Sequence, residues 1–257
     1  MITCLLQGGL GNQMFQIAAT SALAWRHDGV ASFDLEKHHL PFQGRKAFNY
    51  VENIFRLVPF VDCPQPTDVY KEPHHHYAEI PYRKNMMLFG YFQSEKYFED
   101  YQEEIRNLFS PDKTTKEYLL RKYGSELSGD VASIHVRRGD YLKLKDFHPT
   151  CTKKYYIDAI ALLPEDTNYL IFSDDPTWCT DNFEIQRFTV IEGEEDYIDL
   201  YLMSMCKNNI IANSSFSWWA AWLNSNEEKV VVAPEIWFGP SGPKDVYDLI
   251  PNGWLRI

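Results

Sequence analysis

Ser133-Ile134-His135-Val136-Arg137-Arg138-Gly139-Asp140-Tyr141 alternates apolar and polar side chains through Ile134 and Val136, then breaks into two arginines, a glycine and an acid. Period-two alternation over 131–137 predicts a strand, and the break marks its carboxyl end. Outward from this run the rhythm repeats, with further strands predicted near 168–173, 188–191, 209–213 and 229–233 and helical segments between them. Strands alternating with helices imply a parallel sheet covered on both faces. Such sheets bind ligands at the carboxyl ends of their strands, so candidate functional residues are sought there.

Toward the N-terminus, residues 2–6 read as a buried strand, 14–27 as a helix and 30–35 as a second strand. The segment 37–85 loses periodicity, cut by Pro59, Pro64, Pro66, Pro73 and Pro81. Helical spacing returns after Ser94, an N-cap candidate, and a further helix runs from Pro111 to Gly124. The polar run 125–130 has no periodicity and reads as a linker. It divides the chain into two α/β halves, 1–125 and 126–257.

The formal charge of −11 argues against a surface that binds nucleic acid, since several phosphates would need neutralising at once. The five cysteines are widely spaced, which suits a reducing compartment better than a disulfide framework or a zinc site. No signal peptide is expected, and no stretch reaches the roughly 20 apolar residues of a membrane span. A cytoplasmic protein with at most peripheral membrane association is therefore expected.

Three strand ends carry candidate chemistry. Gly8-Gly9-Leu10-Gly11-Asn12-Gln13 follows the first strand and could bring backbone amides close to a phosphate, or could simply form a tight turn that needs a positive φ. It is a partial dinucleotide fingerprint, because Met14 stands where a third glycine belongs, although Asp34 lies where a ribose-binding acid would. Arg137 and Arg138 offer guanidinium forks for a diphosphate, with an ion pair to Asp140 as the purely structural alternative. Asn213-Ser214-Ser215-Phe216-Ser217 opens a helix with hydroxyls and free amides, a place for an anion that N-capping by Asn213 or Ser214 would also explain. Trp218, Trp219 and Trp222 read as core. Asp174 and Asp175 could accept the N–H groups of a guanine edge, ligate a metal poorly because they are adjacent, or cap a helix. His74, His75 and His76 lack distant partners for a metal.

Together, Gly8–Gln13, His135–Tyr141 and Asn213–Trp222 resemble glycosyltransferase family 11, the α-1,2-fucosyltransferases, and more distantly the α-1,6- and protein O-fucosyltransferases. The stretch from His148 through Cys151 to Tyr155 and Tyr156 is similar to the family's continuation of the arginine motif. The resemblance implies a GT-B-like architecture of two Rossmann-like halves, with the acceptor mainly on the N-terminal half and GDP-fucose on the C-terminal half. It implies nucleotide contacts from His135 and Arg137, phosphate contacts from Ser214 and Ser215, and Asn12 facing the donor. The expected donor-binding set is Gly9, Gly11, Asn12, His135, Arg138, Asp174, Ser214, Ser215 and Phe216.

The reaction so implied moves L-fucose from GDP-β-L-fucose to the 2-hydroxyl of a β-galactoside with inversion, in one displacement and without a metal or other cofactor. The acceptor would be a galactose-containing oligosaccharide or a glycolipid-linked glycan. Arg137 is expected to hold the departing diphosphate, with Arg138 in support. Asp140, Asp146 and His148 are the candidates for the base, His148 being favoured. An NAD-dependent sugar oxidoreductase using the first loop and Asp34, or a glycan-binding module using exposed aromatic residues, are the other readings.

Overall fold

The computed structural model describes residues 1–35, 45–183 and 187–257. Two units emerge, one of residues 1–111 with 245–251, the other of residues 112–244 with 252–257. The N-terminal unit begins with β1 (Ile2–Cys4) and α1 (Leu10–Arg26), followed by β2 (Asp68–Lys71), β3 (Met86–Phe89) and α2 (Gln102–Leu108). Its three strands form a parallel sheet in the order β1-β3-β2. The strand expected over 30–35 is reduced to isolated bridges, Ala31 to Ile2 and Phe33 to Phe60. Phe33 donates its N–H to the Pro59 carbonyl, and Pro59 has no N–H with which to extend that ladder.

Helix α1 starts at Leu10, four residues before its apolar run suggested, so Gly11, Asn12 and Gln13 occupy its first turn. The helix expected after Ser94 is broken. Ser94 caps a short 3₁₀ turn over Glu95–Tyr97, a second covers Glu99–Tyr101, and only Gln102–Leu108 is α-helical. Phe98, fully buried at φ −136°, forces the first break. The unpatterned segment 37–85 contains β2, while residues 36–44 lie outside the described residues.

The C-terminal unit contains α3 (Lys113–Tyr123), β4 (Val131–Val136), α4 (Lys153–Ile160), β5 (Asn168–Ser173), α5 (Pro176–Asn182), β6 (Phe188–Ile191), α6 (Asp196–Met205), β7 (Asn208–Ile210), α7 (Ser215–Leu223), β8 (Val231–Ala233) and β9 (Leu255–Arg256). Division thus falls at 111–112, ahead of α3, instead of at the polar run 125–130. Tyr118 and Tyr123 each place a hydroxyl 2.7 Å from Glu194, just before α6, and these bonds hold α3 in the C-terminal unit. Residues 245–251 go with the N-terminal unit, where Asp248 accepts from the Tyr77 N–H and pairs with Lys96.

All six strands of the larger sheet are parallel, in the order β6-β5-β4-β7-β8-β9. Counted from β4 this is the doubly wound order 3-2-1-4-5-6, which reverses direction between β4 and β7. Strand β4 is buried along its whole length. Alternation sends Ala132, Ile134 and Val136 into the cluster built with Tyr155, Tyr156 and Ala159 of α4. Ser133 and His135 go to the opposite face, toward Asn209 and Ser217.

Candidate active site at the reversal point of the C-terminal sheet

His135, the penultimate residue of β4, is 6% exposed, and its Nδ1 lies 2.9 Å from the Ser217 Oγ on α7. That bond ties the strand on one side of the reversal point to the helix that follows the strand on the other. Burial first, and the Arg137 charge second, push the His135 imidazolium down to about 3, so the ring is neutral at ordinary pH. Its backbone carbonyl accepts the Tyr156 hydroxyl at 3.1 Å.

Arg137 and Arg138 leave the end of β4 side by side. The Arg137 guanidinium reaches Asp140 at 2.6 Å and Asp174 at 2.8 Å, and sits 5.3 Å from the Tyr141 ring centre. Arg138 bonds Asp175 through Nε at 2.9 Å, lies 4.3 Å from the Trp178 ring centre, and donates its backbone N–H to Asp174 at 2.8 Å. Its terminal nitrogens make no hydrogen bond among the described residues. The expected ion pair with Asp140 therefore exists, on Arg137, and Asp174 and Asp175 serve as holders of the two arginines. Asp175 also caps α5 by accepting the Trp178 N–H, and with Arg138 this keeps its carboxyl below the usual range. Gly139 makes the cluster possible, since a Cβ there would lie 2.7 Å from the Asp174 Oδ2.

Across the reversal point, Ser214 caps α7 by accepting the Phe216 N–H at 3.4 Å. Asn213, 1% exposed, is not the cap. It donates to the carbonyls of Pro149 at 2.8 Å and Trp237 at 2.9 Å, and so pins the loop after the arginine motif to the start of α7. Phe216 packs its ring 5.5 Å from His135, and Ser215 is partly exposed. Trp218, Trp219 and Trp222 are buried, as their helical spacing suggested.

His148 stacks on Tyr141 with ring centres 4.6 Å apart at 12°, flanked by Phe147 and Phe238. Tyr141 in turn donates its hydroxyl to the Asn213 carbonyl. Burial, with the nearby Arg137, depresses the His148 pKa, and its Nδ1 is buried with no hydrogen-bond partner among the described residues. Asp146 uses its backbone, the carbonyl accepting from the N–H and hydroxyl of Ser241, while the residue is otherwise exposed. Of the three base candidates, then, Asp140 is engaged by Arg137, Asp146 is exposed, and His148 alone presents a half-buried neutral imidazole in this cluster.

In the N-terminal unit the first loop is a tight turn. Gly8 has φ +78°, and a Cβ there would meet the Asn12 Nδ2 at 2.4 Å. Gly9 is the N-cap of α1, its carbonyl accepting from Asn12 and Gln13, and Gly11 lies inside the helix. Met14 is fully buried, and Asp34, 6% exposed, accepts the Cys63 N–H. A buried Asp34 is poorly placed for the ribose contact that a dinucleotide reading requires. The Asn12 Oδ1 accepts from the Gln93 amide at 2.7 Å. Neither Gln93 nor Glu72, which holds its loop, was legible as a functional candidate, and nor was Ser217 as the partner of His135; each acquires its meaning from a contact distant in sequence. Among the described residues no three His, Cys, Asp or Glu side chains gather closely enough to hold a metal ion, and no helix is long and apolar enough to cross a membrane.

The model of "Glycosyl transferase family 11" matches residues 65–246. This chain belongs to that family. The Escherichia coli protein named alpha-1,2-colitosyltransferase is 30% identical over 100% of this chain and 99% of its own length. The Escherichia coli O-antigen biosynthesis glycosyltransferase WbnK is likewise 30% identical, over the full length of both chains. A Caenorhabditis elegans galactoside 2-alpha-L-fucosyltransferase is 27% identical over 90% of this chain and 71% of its own. Among solved structures, fucosyltransferase NodZ from Bradyrhizobium aligns with TM-score 0.53 at 17% identity, covering 85% of this chain and 92% of that one. A mutant of Arabidopsis thaliana FUT1 in complex with GDP aligns with TM-score 0.54 at 13% identity, covering 90% of this chain and 70% of that one. These likenesses bear out the α/β, GT-B-like fold class, and the matched family makes the chain a glycosyltransferase.

Proposed function

We propose that this chain transfers L-fucose from GDP-β-L-fucose to the 2-hydroxyl of a terminal β-galactoside, with inversion and without a metal. The observation that carries the reading is the arginine pair at the reversal point of the C-terminal sheet, tied by the His135–Ser217 bond to the serine-capped start of α7. A diphosphate there meets guanidinium forks from β4 and backbone amides from α7. The acceptor oxygen attacks the anomeric carbon opposite the nucleotide, the bond to the β-phosphate oxygen breaks with its electron pair, and Arg137 holds the resulting charge with Arg138 in support. The hydroxyl proton passes to His148, whose depressed pKa keeps the imidazole free to accept it near neutrality. The acceptor is a galactose-containing oligosaccharide or lipid-linked glycan, met in the cytoplasm or at the inner face of a membrane.

A second reading, transfer of a colitosyl group, draws on the 30% identity to the colitosyltransferase over the whole chain. Both are tested by incubating the protein with GDP-fucose or GDP-colitose and a panel of β-galactosides, and assigning the new linkage by NMR. An α-1,2 fucosyl product is expected. Product from GDP-colitose alone would move the donor assignment to the second reading, and hydrolysis or no reaction with both donors would overturn the proposal.

A further inference from the structure

The N-terminal sheet has a carboxyl edge of its own, where β1, β3 and β2 end at Cys4, Phe89 and Lys71. The segments leaving those ends are bound to one another. Glu72, directly after β2, accepts the backbone N–H of Tyr91 at 2.6 Å and of Phe92 at 2.9 Å, one on each carboxylate oxygen. Gly90 lies so close that a Cβ would fall 2.4 Å from that of Glu72, and its carbonyl accepts from the side chains of Gln7 and Gln16. Phe92 is fully buried yet has φ +52°, a left-handed conformation that costs a bulky residue roughly 1–2 kcal/mol. The loop after β3 is thus held in a strained shape by the Glu72 carboxylate.

That shape directs Gln93. The residue is 8% exposed, its amide donates to the Asn12 Oδ1 at 2.7 Å, and its Oε1 is buried with no hydrogen-bond partner among the described residues. Leaving a buried amide oxygen unmade costs about 1–3 kcal/mol, and strain is found where a site demands it. A carbonyl oxygen beside the Asn12 amide suits a neutral hydroxyl, whereas a phosphate would be repelled by it. The partly exposed ring of Tyr91, 6.3 Å from that of His75, lies on the same segment and offers the apolar flank that a sugar ring uses. We propose that Gln93 is a specificity-determining residue whose Oε1 accepts a sugar hydroxyl of the acceptor, and that Glu72 is the positioning residue that aims it. The inference rests on the transferase reading above and deepens it on the acceptor side. Burial pushes the Glu72 carboxyl up to about 7, in keeping with a group whose exposure to water is given up for its backbone contacts.

The test is steady-state kinetics of the full chain with GDP-fucose and a β-galactoside, comparing wild type with Gln93→Met, which keeps the volume and removes the acceptor atom, and with Glu72→Gln. Acceptor KM is expected to rise about tenfold in Gln93→Met, the worth of one hydrogen bond, with donor KM and GDP affinity within twofold of wild type. Glu72→Gln should show the same split with a smaller rise. A folded Gln93→Met with unchanged acceptor KM overturns the inference, and so does a parallel rise in donor KM, which would give the hydroxyl to the donor sugar. Wild-type protein that transfers nothing overturns the transferase reading itself, a result distinct from an active wild type that Gln93→Met does not affect.

Discussion

The two parallel sheets end in opposite chemistry. At the carboxyl edge of the C-terminal sheet two guanidinium groups stand among three carboxylates, Asp140, Asp174 and Asp175, all partly open to water. Among the described residues at the carboxyl edge of the N-terminal sheet, the amides of Asn12, Gln7, Gln16 and Gln93 gather beside Glu72, whose carboxylate oxygens are both committed to backbone N–H groups, while Lys71 at the end of β2 is exposed. Similar parallel topology therefore presents a guanidinium pair among carboxylates at one edge and a cluster of bonded amides at the other. The excess of carboxylate at the charged edge has a physical logic. Two adjacent guanidinium groups without counter-charges would repel and splay, and the three acids hold them together at the end of β4; in the proposed reaction a diphosphate would replace part of that partnership.

The sharpest way to break this contrast is to remove the charge. Arg137→Ala is expected to lower kcat by about 10²- to 10³-fold at saturating donor, and Arg137→Lys should recover little because a point charge cannot span two oxygens. His148→Ala comes next, with kcat down about 10²-fold and donor KM little changed. Because burial holds the His148 pKa below 6.5, its basic form persists as pH falls below that value and disappears only at the lower folded pKa. The acid limb of the wild-type kcat profile should accordingly lie below pH 6.5, and His148→Ala should erase it. Smaller still is Gly139→Ala: the added methyl displaces Asp174 and loosens Arg137, raising donor KM about tenfold while leaving acceptor KM alone.

Strand β4 and its arginines were legible because six consecutive buried residues alternate between two covered faces and then stop at charge. The reversal point was legible only as a principle, since the order of the strands is set by pairings distant in sequence. Asp174 shows the limit well. Alone it reads as an adjacent-acid pair at a strand end, and its bond to Arg137 appears only when β5 pairs with β4 in register. Strand β2 was hidden because four residues flanked by prolines give too short an alternation. Residues 245–251 carry no period at all, and Asp248 joins the N-terminal unit through Tyr77 and Lys96. The first loop reads as a phosphate cradle or as a tight turn, and the turn is present: the helix begins at Leu10, and Gly8 is the glycine whose positive φ the turn requires.

Calorimetric titration of GDP into wild type, Arg137→Ala and Gln93→Met tests the division of labour between the two edges most directly. The account predicts at least a tenfold loss of GDP affinity in Arg137→Ala and none beyond twofold in Gln93→Met. Equal affinity for GDP in wild type and folded Arg137→Ala would contradict it.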